Sequence, residues 1–101
     1  MTKRYPKFVE SLKETDPPLY EVVTKNWDLA MAPGELDAKT KVFLAMALDA
    51  LAEAGEGVQV LANQARALGA TEGEIAEVLR IAYLVAGNKT LAATRGAYTK
   101  Q

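Results

Sequence analysis

The sequence predicts an all-α fold, and three observations carry that prediction. Apolar residues recur at helical spacing along most of the chain. No stretch alternates polar and apolar residues in the manner of a half-buried strand. Asp, Thr, Pro and Gly stand at intervals where helices begin and end. About six helical segments follow, read as one domain over residues 1–101, with residues 1–16 as an N-terminal extension or short helix.

The first segment, Lys7 to Glu14, offers Phe8, Val9 and Leu12 as its apolar side and is punctuated by Thr15-Asp16-Pro17-Pro18. Asp16 is placed to cap the second helix, and Pro17 suits the first helical position because its missing N–H has no partner there anyway. That helix runs to about Met31 with Leu19, Val22, Val23, Trp27 and Ala30 along one side, and Pro33-Gly34 closes it. Asp37 caps a third helix reaching about Ala54, whose middle, Val42 to Leu48, is apolar on every side and is therefore expected to be buried on every side. A fourth helix carries the stripe Val58, Leu61, Ala62, Ala65 and Leu68, with Gly69 in the position that turns a helix end left-handed. Thr71 and Glu74 form a capping box at the start of the fifth, whose inner face is Ile75, Val78, Leu79, Ala82 and Ala86. Gly87-Asn88 is expected to break this helix, with Asn88 capping a sixth through about Tyr98.

Composition removes several classes of function. A chain of 101 residues has room for one core, and chains of this size fold unaided, burying somewhat more than ~60% of the surface they expose when unfolded. A formal net charge of -1 leaves no basic excess for phosphate contacts, which argues against binding to nucleic acid. The basic start, Met1 to Lys7, leads into no apolar segment and does not read as a signal peptide. The apolar runs Val42 to Leu48 and Ile81 to Ala86 are far shorter than the ~20 residues that span a bilayer. A cytoplasmic protein without membrane attachment is the expectation. With no cysteine there is no disulfide, no thiolate nucleophile and no metal–thiolate centre. With no histidine there is no imidazole base.

The stretches Pro18-Leu19-Tyr20-Glu21, Pro33 to Lys41 (PGELDAKTK) and Ala67 to Ile75 (ALGATEGEI) resemble the carboxymuconolactone decarboxylase and alkylhydroperoxidase D-like family, from about Pro17 to about Gly87. The resemblance implies an alkylhydroperoxidase D-like helical bundle and a homo-oligomer, a trimer or a hexamer. Redox members of that family carry two cysteines, a histidine and a glutamate that together generate the attacking thiolate. Carried onto this chain, the cysteines fall at Ala54 and Gly57, the histidine at Leu61 and the glutamate at Val42, so all four groups are absent. The decarboxylase branch relies on histidine for proton transfer, which is absent as well. The resemblance therefore implies the fold and the assembly and neither named activity.

Remaining candidates for chemistry are acidic. Asp49 and Glu53, four residues apart and read as sharing one helix face, precede Glu56 beside the vacated cysteine positions. Carboxylates at a helix C-terminus oppose the macrodipole at a cost of about 0.3–1 kcal/mol each. Solvation can offset that cost, as can a partner from Arg66, Arg80 or Arg95, or a role as general base or oxygen-only cation ligand. The spacing matches no metal motif, so neither a metal nor a cofactor is assigned. Arg80 and Tyr83 are candidate ligand-binding residues, against the plainer reading of a core-edge tyrosine beside a snorkelling arginine. Gly55-Glu56-Gly57 lacks the Gly-Lys-Ser/Thr ending of a phosphate loop.

The third and fifth helices are more apolar than one small domain easily hides. The plainer reading makes the third the central helix of the bundle, and the sharper one packs the end of the fifth, with the part of the second around Trp27, against another subunit. Three functional readings follow. The first is a homo-oligomeric helical protein without thiol peroxidase activity that binds a small molecule at the degenerate active site. The second is a cofactor-free enzyme using Asp49, Glu53 or Glu56 for proton transfer on a small acid or lactone. The third is an assembly or scaffolding module.

Overall fold

The computed structural model describes residues 5–100, so Met1 to Arg4 of the basic N-terminal run lie outside the described residues. The described residues are helical with no strand among them, and they fall into two compact units divided after Gly34.

The first unit holds α1 (Lys7–Glu10), α2 (Leu12–Thr15) and α3 (Pro17–Met31). The single first segment expected from sequence is two short turns that meet at Ser11, whose hydroxyl donates to the Phe8 carbonyl at 3.1 Å. Asp16 caps α3 as expected, accepting the Leu19 N–H at 3.2 Å. The helix stops at Ala32, which precedes Pro33 and is pushed to extended backbone (ψ 136) by the proline ring. The expected apolar stripe is only partly covered: Val23 and Trp27 are half-buried, while Leu19, Val22 and Ala30 are exposed. Two one-turn helices cannot cover a helix ~22 Å long. Polar and aromatic groups make up the difference. The Tyr5 hydroxyl donates to Asp28 at 2.8 Å and the Tyr20 hydroxyl to Glu10 at 2.8 Å. The Tyr5 ring stands edge-on to both Tyr20 and Trp27.

The second unit holds α4 (Ala38–Leu51), α5 (Gly55–Ala67) and α6 (Glu72–Thr94), followed by a 3₁₀ turn at Arg95–Tyr98. Asp37 caps α4 by accepting the Thr40 N–H at 2.8 Å, and hydrogen bonding from the Thr40 side chain, then from its backbone, holds the Asp37 carboxyl below the ordinary range. The capping box of α6 is complete: Thr71 Oγ1 accepts the Glu74 N–H at 3.0 Å, and the Glu74 carboxylate accepts the Thr71 N–H at 2.9 Å. Lys39 reaches the same carboxylate at 3.2 Å and so joins the N-terminal ends of α4 and α6. Met46, Ala62 and Ile75, one from each helix, form the core, with Phe43, Leu61 and Val78 packed against them.

Three sequence expectations change here. Gly87-Asn88 does not break the helix, because α6 runs unbroken to Thr94. Each residue keeps its backbone N–H, and glycine in a helix interior costs only about 1 kcal/mol relative to alanine. The third predicted helix ends at Leu51 rather than near Ala54, and the next begins at Gly55. The middle of α4 is not buried on all sides either: Leu44 is 50% and Leu48 63% exposed. α5 and α6 cover one side of α4, where Val42 and Met46 lie buried.

Candidate functional site

The end of α4 and the start of α5 place the three acidic candidates within eight residues of chain but in three different settings. Asp49 lies in the last turn of α4 and is half-buried. Glu53, expected to share the helix face of Asp49, does not lie on it, because α4 has already ended at Leu51. It occupies the turn, with left-handed backbone at φ 60. The Glu53 N–H bonds to the Ala50 carbonyl at 3.1 Å and the Ala54 N–H to that of Asp49 at 2.9 Å, which is the Schellman closure of a helix end. Glycine normally fills that position, and a side chain there costs roughly 1–2 kcal/mol. Glu56 is exposed in the first turn of α5, where the helix dipole favours a carboxylate. The macrodipole penalty expected for all three therefore falls on Asp49 and Glu53, at the end of α4, and not on Glu56.

Asp49 is the carboxylate the fold brings into a confined place. A Cβ built on Gly57 would run into the Asp49 carboxylate, with Asp49 Cγ 3.1 Å away. The absent side chain at position 57 is thus what admits this carboxylate beside the first turn of α5. At the position corresponding to the family's second cysteine, the Asp49 carboxylate lies where a side chain would begin, and it would have to turn aside for one. Of the other corresponding positions, Ala54 is exposed as the N-cap of α5, Leu61 packs on the core, and Val42 is buried in α4. Two positions that carry a proton relay in redox members hold hydrocarbon inside this fold.

The basic partners proposed for these acids are elsewhere. Arg66 grips Glu72 through two hydrogen bonds of 2.7 and 2.9 Å and also reaches Asn63 at 2.8 Å. That pairing holds the Glu72 carboxyl below its ordinary range and raises the guanidinium. Arg80 and Arg95 make no ion pair with any described residue. Among the described residues no group of three acidic side chains converges to hold a metal ion. Arg80 and Tyr83 do lie together, on a shallow hollow with Leu84, Gly87 and Leu91. Every residue of its lining belongs to α6, so the hollow has one wall, and Tyr83 is 79% exposed rather than tucked at a core edge.

Sequence reasoning missed the polar cluster of the first unit. Hydrogen bonding to Asp28 pushes the Tyr5 hydroxyl up to about 12, and Glu10 raises that of Tyr20 in the same way. Both tyrosine hydroxyls are hydrogen-bond donors, and their bonds tie the chain before α1, and α1 itself, to α3. The concentration of Tyr5, Phe8, Tyr20 and Trp27 in the first 34 residues was the available signal. Periodicity alone does not reveal which carboxylate meets which hydroxyl.

No curated protein and no solved structure matches the chain. The model of the carboxymuconolactone decarboxylase family matches residues 17–99, from the first residue of α3 to just past the 3₁₀ turn and beyond the end at Gly87 expected from motifs. Given that span and the all-helical architecture, the chain belongs to the carboxymuconolactone decarboxylase family.

Proposed function

We propose that the protein works as a homo-oligomer of helical subunits without thiol peroxidase activity, with a small-molecule site completed only on assembly. The observation that supports this most is the apolar surface of the second unit. Leu44, Leu48 and Leu51 form one exposed row on α4, and Ile81, Leu84, Val85 and Leu91 form another on α6. Soluble monomers rarely leave contiguous apolar rows in water, and symmetric self-association is the commonest way to cover them. The peroxidase is set aside on chemistry, because a chain without cysteine has no thiolate to attack a peroxide. The small-molecule part of this reading rests on Arg80 and Tyr83, whose hollow lacks the opposing wall that a second copy can supply.

Sedimentation velocity across a hundredfold range of concentration tests the assembly. Species at multiples of 10.9 kDa are the expected result, and a monomer at every concentration would sink the proposal.

A second reading, proton transfer by a carboxylate, draws on Glu53. Backbone strain persists where the surroundings or a function hold it, and a non-glycine residue at φ 60 is such a case. Glu53→Gly should raise stability by roughly 1 kcal/mol by relieving that strain. If the more stable variant also loses turnover of a small acid or lactone, the strained carboxylate has a catalytic role. If Glu53→Gly turns over as the parent does, the acid-catalysis reading loses Glu53.

A further inference from the structure

We infer that the bare half of α6 in one copy docks head to tail on the α4–α5 end of a second copy; this rests on the homo-oligomer reading above. The first observation is length. α6 has 23 residues and α4 has 14, which at 1.5 Å per residue is ~34 Å against ~21 Å. Lys39 and Glu74 bring the starts of the two helices together, and α6 is the longer of the two by ~13 Å. Burial agrees with this. Ile75 and Ala82 are buried, and beyond Ala82 every described residue is exposed except the half-buried Gly87. An isolated helical segment of about three turns is marginal in water, so this one is expected to have a partner.

The second observation is charge, and it names the partner. From residue 78 to residue 100 the chain carries Arg80, Lys89, Arg95 and Lys100 and no acidic residue. From residue 42 to residue 65 it carries Asp49, Glu53 and Glu56 and no basic residue. Each stretch has its own exposed apolar row, Leu84 and Leu91 on α6 and Leu44 and Leu48 on α4. None of Lys89, Arg95, Glu53 and Glu56 is in an ion pair with a described residue. A contact of α6 with α6 would set basic groups against basic groups, whereas α6 on the α4–α5 end pairs opposite charges around an apolar centre. A contact between two different surfaces of the same chain closes into a ring when its rotation allows. In such a ring the α4–α5 end of a neighbour forms the second wall beside Arg80 and Tyr83.

A charge swap on the full chain tests this by sedimentation velocity, with circular dichroism confirming helicity. Lys89→Glu with Arg95→Glu should weaken self-association by roughly tenfold or more, and so should Glu53→Lys with Glu56→Lys. All four substitutions in one chain should restore it. If a reversed chain loses helicity, Lys89→Gln with Arg95→Gln, mixed with the parent at low and high salt, asks the same question without reversing charge. A parent that assembles but ignores both reversals overturns the head-to-tail contact and leaves the oligomer standing. Weakening by each pair without restoration in the four-fold variant overturns the pairing. A parent that is monomeric overturns both claims, and sedimentation of that monomer with vesicles containing phosphatidylserine would identify an anionic membrane as the occupant instead.

Discussion

The two halves of α6 share one backbone and differ in almost everything else. Residues 72–82 start from a complete capping box and bury Ile75 and Ala82 against the rest of their unit. Residues 83–94 have no buried side chain, yet they are as rich in leucine, valine and tyrosine as a core helix. Helix formation responds to local propensity and hydrogen bonding, and both halves satisfy it equally well. Burial depends on a neighbour, and only the first half has one among the helices of its own unit. An apolar helix face of this kind is what the proposed self-association would cover.

The largest effect that separates the halves comes from truncating one apolar residue in each. Ile75→Ala should cost about 2–5 kcal/mol, because it opens a cavity in the core. Leu84→Ala should change the stability of the subunit by no more than about 0.5 kcal/mol, since Leu84 is 57% exposed. Urea unfolding at low protein concentration checks both, and equal costs would break the comparison. Next in size, Thr71→Ala removes the cap and should cost about 1 kcal/mol. The loss should register as faster amide exchange in the first turns of α6, with the second half unaffected.

Gly87→Ala should raise stability by about 0.5–1 kcal/mol, because a Cβ there meets nothing within 4 Å and the residue lies in a helix interior. A loss of stability instead would show that the chain does break at Gly87 in solution. The smallest contrast is in acid. Glu74 is held below the usual range by the Thr71 backbone N–H and by Lys39, and Glu72 by Arg66. A lowered native pKa means stability that is present above the unfolded value, near 4.5, and lost as pH falls through the native one. No acidic side chain lies between Glu77 and the end of α6, so acid should loosen the first half of α6 and leave the second untouched. Carbon-13 chemical shifts of the backbone through the titration check this.

Two helix ends show how far the sequence could be read. α5 ends on Gly69 at φ 94, with the Ala70 N–H reaching the Ala65 carbonyl at 2.9 Å, and glycine announced that end in advance. α4 ends through the same hydrogen bonds with Glu53 in the glycine position, where the sequence pattern predicts helix on to about Ala54. The bonds that close a helix belong to the backbone, so a costly residue can sit there unannounced. The placement of Glu53 in a turn, away from the helix face of Asp49, followed from that one missed end. Asp16, Asp37 and Thr71 were legible for the opposite reason, because their caps are made by the side chains themselves.

Composition by itself determined which reactions lack their groups, since the absence of cysteine and histidine holds in any fold. Spacing and caps determined that the chain is helical and where most helices begin. Only the tertiary structure decided that the Asp49 carboxylate takes the space beside Gly57, that Arg66 belongs to Glu72, and that half of α6 has no neighbour within its own unit. Caps and periodicity act within a few residues of chain, whereas those three facts join or separate groups on different helices, and packing alone sets such distances.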